Sequence, residues 1–388
     1  MKVDREQLMR DGFIVLRQVI PPDKLEALRA HYETLIERRG GRAWLSEGAQ
    51  PRISIVPHVD PGTADAAEIW LHENTLGVAN QLITQGRPAP TSLWCMCSPI
   101  EDHGPAAWHR DIHPIDMAPM RLLQLDLLEN GPRYLQWNIP LYDDNVLWVV
   151  PGSHVRINTA QENEELLADP RAPLNGGIPV ELAAGDGVVY VNFLLHWGSN
   201  YSSKLRRTLH GGHSIFTDNQ ANGCAQHLSA SARQQIEGWV ATMEENEDKT
   251  ERTLRAALDA DEATFELGLE ELQPGIGAAG KRVMTIFLCK AAQLMRIATR
   301  PDLEDVPEAL QRMATGSHPI SLNWGPEFAE RFSAAEIEKL WQRFEFVDTR
   351  LLHTEEHFVP GYQSGPMQYF FEDLPEPFEG SDFVASWS

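Results

Sequence analysis

The chain has 388 residues, 42% hydrophobic and 23% charged, and its 56 acidic against 33 basic side chains leave a formal net charge of −23. That balance repels polyanions, so nucleic acid and anionic membrane surfaces are excluded as partners, while the apolar content is that of a globular chain with a large core. The charged start MKVDREQLMRDGF is no secretory signal, no window is apolar enough to span a membrane, and Cys95, Cys97, Cys224 and Cys289 have the spacing of neither a disulfide framework nor a zinc site, so a cytoplasmic location is expected.

In chain order, residues 4–10 read as a short helix, Gly12 breaks it, and Phe13 to Leu16 reads as a buried strand. Pro21-Pro22-Asp23 then opens a helix in which Leu25, Leu28, Tyr32, Leu35 and Ile36 share one face, and Arg38-Arg39-Gly40-Gly41 closes it. From about Ile53 to Phe216 short apolar runs alternate with Gly, Pro, Asn and Asp, the texture of an all-β sandwich or barrel. Strands are expected over 92–97, 134–141, 146–150, 187–195 and 208–216, and the Cys95-Met96-Cys97 triplet reads as strand residues alternating between faces. After about Thr217 the pattern turns helical, over 230–244, 249–272, 281–298 and 333–347, the last with a capping box between Ser333 and Glu336. The acidic run 244–248 reads as a solvated loop, and the Pro-, Gly- and aromatic-rich end from about Val359 has no period.

Three stretches of the β region carry chemistry. Trp108-His109-Arg110-Asp111 is a His-X-Asp, whose outer residues project to the same face of a strand and can grip one ion. Val150-Pro151-Gly152-Ser153-His154 is a strand end followed by a tight turn. Gly185-Asp186-Gly187 leads through an apolar run to His196, then Asn200 and Arg206-Arg207. Two imidazoles and a carboxylate, from His109, Asp111 and His196, make the facial triad of a non-haem Fe(II) site, leaving three positions for co-substrate and O2.

In this order the stretches resemble the phytanoyl-CoA dioxygenase family of Fe(II)/2-oxoglutarate-dependent oxygenases. The opening Arg10-Asp11-Gly12-Phe13-Ile14-Val15-Leu16 and the Pro-Asp helix after it are similar to the start of that family. The resemblance covers roughly residues 5–217. It implies a mainly β fold, with a double-stranded β-helix (jelly-roll, cupin-like) core and N-terminal helices over 1–217. A helical C-terminal extension over 218–388 would then serve as a lid or a surface for self-association.

The same resemblance makes His109, Asp111 and His196 the metal ligands, and an arginine on the following strand the holder of the far carboxylate of 2-oxoglutarate. A guanidinium suits that task because its planar fork can meet a carboxylate twice. Counting from Asn200 selects Arg206 and counting from His196 selects Arg207; the two alternate in face, and a shortened 197–200 loop favours Arg206. The family's small hydroxyl residue two places after the distal histidine is Gly198 here, with Ser199 one later as a second co-substrate contact. Gln136 and Asn138 alternate on one strand, where they either meet the other end of 2-oxoglutarate or are satisfied strand polars. A lysine frequent before the family's His-X-Asp is replaced near Ser98.

His113, Trp137 and Trp197 are candidate substrate contacts. His103 flanks the same mouth, most of Trp108, Trp137, Trp148 and Trp197 are expected in the core with one or two lining the pocket, and His154 holds its turn. The expected activity is hydroxylation of an unactivated C–H bond of a small molecule, with release of succinate and CO2. A carboxylate at Asp111, where related halogenases carry a small residue, speaks against halogenation. Desaturation, ring closure and epimerisation are the alternatives on the same cofactor, and a non-catalytic β-barrel binding protein or a cupin-like metalloenzyme without 2-oxoglutarate are rival classes.

Overall fold

A computed structural model of the chain describes residues 1–112, 119–215, 220–300, 302–304, 306, 308–315, 326–351, 360–361 and 380–387. It divides into two compact units. One comprises Met1–Asp111, Gly131–Val240 and Pro360–Tyr362, and the other Ile112–Asn130, Ala241–Val359 and Gln363–Ser388. The expected boundary at residue 217 therefore differs from the observed partition, in which the chain crosses several times and one crossing falls directly after Asp111. Helices also hold more residues than strands, so "mainly β" is corrected to a β core within a mixed fold.

The first unit contains strands β1 (Phe13–Leu16), β2 (Arg52–Ser54), β3 (Ala89–Cys97), β4 (Tyr134–Pro140), β5 (Leu147–Val149), β6 (Ile178–Pro179), β7 (Gly187–Tyr190), β8 (His196–Gly198) and β9 (Arg207–Ser214). They form two sheets, ordered β1-β7-β4-β9-β3-β2 and β6-β5-β8, with every pairing antiparallel. Leu147 and Val149 of the small sheet pack with Val188 and Tyr190 of the large one, joined by Val180, Leu182 and Leu194 and flanked by Phe13 and Val15. This apolar layer between two antiparallel sheets is the arrangement expected of a double-stranded β-helix core.

Register decides what each face carries. Gln136 lies opposite Tyr190 and Gly212, Asn138 opposite Val188 and His210, and Met96 opposite both Arg52 and Thr208. These residues share one face of the large sheet. The alternate residues, including Cys95, Cys97, Trp137, Arg207, Leu209 and His213, face the other way. There the Arg207 Nε donates to Glu33 on the Leu25–Arg39 helix at 2.8 Å, and the His213 Nε2 donates to the Trp70 carbonyl at 3.0 Å. Cys95 and Cys97 are buried on that face with their sulfurs 4.0 Å apart.

The expected strand over 187–195 stops at Tyr190, because the Leu194 amide turns back to the Val191 carbonyl at 2.9 Å. The N-terminal helix, Arg5–Asp11, is capped by Asp4, and Gly12 ends it at φ 85°, where a side chain would run into His154 and Leu194. The Pro-Gly-Ser-His turn lies against this spot: the Gly152 amide donates to the Asp11 carbonyl at 2.9 Å, and the His154 Nε2 to the Met9 carbonyl at 3.0 Å. Burial pulls the His154 pKa down to about 4, so its imidazole stays neutral and holds the turn, as expected.

In the second unit the helices are Met120–Asn130, the later part of Ala230–Asp259, Glu262–Leu272, Ala278–Thr299 and Ala334–Leu351, with shorter ones between. Residues 244–248, expected as a loop, are helical. Glu245 pairs with Lys249 one turn on at 2.9 Å, and Arg331 reaches Glu247, Asp248 and Glu251 at 2.8, 2.9 and 3.2 Å, so the negative charge is offset rather than left to fray the helix. The helix breaks instead at Ala260, which has φ 57°, and Asp261 caps the next one. The Ser333–Glu336 capping box forms as expected. The Met120–Asn130 helix, hidden in sequence by the surrounding strand texture, caps another helix: Asn130 and Glu129 accept from the amides of Gly277, Ala278 and Ala279 at 2.9–3.1 Å.

Candidate metal centre

The His-X-Asp segment runs antiparallel to β8. His109 and His196 exchange two backbone hydrogen bonds of 2.9 Å, and the Asp111 amide continues the ladder to the Asn192 carbonyl at 3.0 Å. Residues directly opposite in such a ladder put their side chains side by side, and the two imidazole centroids are 4.3 Å apart. Asp111, two residues along, returns to the same face. Its Oδ1 lies 3.4 Å from the His109 Nε2 and its Oδ2 3.3 Å from the His196 Nε2. One ligand atom from each of the three side chains lies within 4.8 Å of the others.

Both rings are locked in the tautomer that a metal needs. The His109 Nδ1 donates to the Ala107 carbonyl at 2.8 Å and the His196 Nδ1 to the Leu194 carbonyl at 2.9 Å, which directs each Nε2 lone pair at the shared point. Burial by itself raises a carboxyl pKa, but the His196 and His109 rings outweigh it and hold Asp111 well below the usual carboxylate range. The group is an anion ready to bind a cation. The side chains of His109 and Asp111 remain 27% and 24% exposed while His196 is 6% exposed, so the site opens on the His109–Asp111 side. A neutral nitrogen pair with one carboxylate is the donor set of a divalent first-row metal, and Fe(II) fits it.

Arg110, between the two ligand residues, points the opposite way and is fully buried. Its guanidinium donates to the carbonyls of Ser153 and Phe193 and to the Asn158 side chain, tying the His-X-Asp segment to the turn and to the approach of β8. Nothing in the sequence pattern marks it. Arg110→Met should leave those acceptors unpaired and cost on the order of 3 kcal/mol, read as a lowered midpoint in urea unfolding.

The other expected residues divide by face. Arg206 is buried and its Nε donates to the Asp144 Oδ2 at 2.9 Å, while Thr208 donates to the same oxygen at 2.8 Å. Burial pushes the Asp144 pKa up, but Arg206 together with hydrogen bonds from the Val146 amide and Thr208 more than reverses it, so a buried carboxylate anchors a buried guanidinium. Arg206 shares the inward face with Thr208 and His210, whereas Arg207 points out to Glu33. Gln136 also points inward, but its amide donates to the Asp111 Oδ2 at 2.7 Å and to the Tyr190 hydroxyl at 2.9 Å, so it supports the carboxylate of the triad rather than waiting for a co-substrate. His210 follows: its Nδ1 donates to the Asn138 Oδ1 at 2.7 Å, and burial takes its pKa to about 3, so it is a neutral member of this network. Gln136 and Asn138 are thus both hydrogen-bonded within the inward network, as satisfied strand polars are.

Ser199 uses its backbone amide on the Val146 carbonyl at 2.7 Å at the end of β8. Trp137 lies on the outward face of β4, edge-on to His213 at 6.4 Å, and Trp197 stacks on Trp108 at 5.3 Å within a cluster including Trp148, Leu166 and Leu174. Both tryptophans are core, because each alternates out of phase with the inward residue beside it, Gln136 or His196. His113 falls outside the described residues, and His103 is exposed. Sequence reasoning missed Asp144, Tyr190, Tyr201 and Arg52. The last is exposed on the inward face of β2, with its guanidinium 5.4 Å from the Trp94 ring centre. The strand register that aligns these positions with Arg206 and Gln136 is not written in any local motif.

Residues 8–208 match the family described as Phytanoyl-CoA dioxygenase (PhyH). No curated protein matches. Among solved structures, the non-heme alpha ketoglutarate dependent epimerase SnoN from nogalamycin biosynthesis is similar at 15% identity over 55% of this chain and 80% of its own, with a TM-score of 0.41. EctD from S. alaskensis with bound Fe is 17% identical over 54% and 75%, also at 0.41. HygX from Streptomyces hygroscopicus, with nickel, 2-oxoglutarate and hygromycin B bound, is 17% identical over 55% and 89%, at 0.41. Among the described residues no helix is long and apolar enough to cross a membrane.

Proposed function

From the premise that the chain belongs to the phytanoyl-CoA dioxygenase family, we propose that it is an Fe(II)- and 2-oxoglutarate-dependent oxygenase that hydroxylates an unactivated C–H bond of a small molecule. The observation that carries the reading is the triad itself: three donor atoms within 4.8 Å of one another, with both imidazoles fixed by backbone carbonyls so that Nε2 faces inward. His109, Asp111 and His196 would hold the metal, and Arg206 the distal carboxylate of 2-oxoglutarate. When bound, iron and 2-oxoglutarate supply the oxidising power, with O2 consumed and succinate and CO2 released.

The protein's share is placement. Gln136 fixes the rotamer of Asp111 through Oδ2, and Tyr190 and His210 fix Gln136 in turn, so the carboxylate presents one oxygen to the metal without swinging. Asp144 holds the Nε edge of Arg206, and Nη1 rests against the Met96 sulfur at 3.6 Å, a weak acceptor that a carboxylate would displace. Asp111 would take the position at the metal that a halide needs, which favours hydroxylation over halogenation. The apolar layer of Val149, Val188 and Leu194 behind the triad keeps that side dry.

The reading is tested by incubating the Fe(II)-loaded protein with 2-oxoglutarate in air and measuring succinate. Slow succinate release without added substrate supports it; absence of both succinate and anaerobic 2-oxoglutarate binding would reject it. Gln136→Leu should keep the fold and lower Fe(II) affinity by roughly 10- to 100-fold, measured by competition with a chelator.

A further inference from the structure

Gly198 lies two residues beyond His196 on β8, so its α-carbon faces the interior beside the triad. A Cβ built there would collide with the hydroxyl and ring of Tyr201, so the Tyr201 phenol occupies the place a side chain at 198 would take, and one must move for the other. Tyr201 is 9% exposed, and no hydrogen bond of its hydroxyl is found among the described residues. Its ring carries the Arg206 guanidinium 4.8 Å from its centre. Burial raises the phenol's pKa against the pull of Arg206 and Arg52, so the hydroxyl remains protonated and able to donate. Tyr201 thus brings an unused donor next to Arg206, a buried guanidinium that Asp144 anchors at Nε and whose Nη1 meets the weakly accepting Met96 sulfur at 3.6 Å.

We propose that the Tyr201 hydroxyl and the Arg206 guanidinium together clamp the distal carboxylate of 2-oxoglutarate, the phenol supplying from a loop the donor that a hydroxyl side chain on β8 would otherwise provide. The proposal rests on the co-substrate reading above. A charge-assisted hydrogen bond in a dry site is worth more than a neutral one, so its loss is visible in binding. The vacant Cβ position at 198 makes the exchange reciprocal: a serine there and the phenol exclude each other.

The test is anaerobic calorimetry on the Fe(II)-loaded protein with two probes, 2-oxoglutarate and oxalate, which chelates a metal but has no tail. Tyr201→Phe is expected to raise the Kd for 2-oxoglutarate about 10-fold or more and leave that for oxalate unchanged. Gly198→Ser alone should weaken 2-oxoglutarate binding by displacing the ring, and Gly198→Ser combined with Tyr201→Ala should recover affinity to within a few-fold of the parent. Unchanged 2-oxoglutarate affinity in Tyr201→Phe, or equal weakening of both probes, overturns the proposal. If the parent protein binds neither probe, the failure lies in the metal and co-substrate reading itself.

Discussion

Asp111→Ala is expected to strip the protein of Fe(II), lowering its affinity by more than about 100-fold, the upper end of what losing a mere supporting partner of a ligand costs. The reason is electrostatic as much as geometric. Asp111 is the triad's only anion, and both imidazole Nε2 atoms lie 3.3–3.4 Å from its oxygens. Without it two neutral nitrogens remain, with no charge to repay a dication for lost hydration. Asp111→Asn separates the effects, since it keeps the shape and loses the charge, and should bind Fe(II) nearly as poorly as the alanine variant. Iron retained after dialysis against a weak chelator measures both. Because Asp111 is held ionised by its contact with the rings, acidification should release metal as its carboxyl gains a proton, with affinity regained once the pH rises above that depressed value. Stoichiometric iron in Asp111→Ala would remove the triad from consideration.

The second large effect separates the two neighbouring arginines. Arg206→Lys should raise the Kd for 2-oxoglutarate by about 100-fold, because an ammonium can satisfy Asp144 but cannot also present a planar fork to a second carboxylate. Arg206→Ala should go further and lower stability too, by about 3–5 kcal/mol, since Asp144 is left as a buried, uncompensated anion. Arg207→Ala, on the outward face against the partly exposed Glu33, should leave 2-oxoglutarate affinity within two-fold of the parent. Titration of all three with 2-oxoglutarate under anaerobic conditions decides it. A larger loss in Arg207→Ala than in Arg206→Lys would reverse the assignment of faces.

Local signals in the sequence carried the grouping of the triad and the inward face of Arg206 because both depend on short-range rules. His-X-Asp needs only strand alternation; alternation on β9 says that one arginine of the pair faces inward, and the count from Asn200 through a shortened loop selects Arg206. The same parity, applied to Gln136 and His196, would have sent Trp137 and Trp197 outward into the core, where they are. What could not be read was pairing between distant strands. Gln136 reaches Asp111 because β4 lies between β7 and β9, and Asp144 meets Arg206 across 62 residues of chain. Tyr201 could be suspected only once its phenol was seen in the place a side chain at Gly198 would take. The acidic run 244–248 misled for a different reason: charge repulsion argues against a helix in isolation, but Arg331, some 80 residues away, supplies the missing cation.

The route of the chain between its two units has a consequence for how the protein is made. Synthesis leaves the first unit just after Asp111, lays down the Met120–Asn130 helix, and returns at Gly131. That helix must then wait for Gly277 to Ala279, the amides that Glu129 and Asn130 cap, which emerge nearly 150 residues later. The Arg110 amide waits longer still, for the Gly361 carbonyl at 2.9 Å. Neither unit can finish before the other has been started, so a nascent chain carries the Met120–Asn130 helix without these capping partners while nearly 150 further residues are made. Cutting the gene after residue 217 would freeze the molecule in that state. The fragment would hold all three triad residues and Arg206, yet lack residues 218–240 and Pro360–Tyr362, which belong to the same unit.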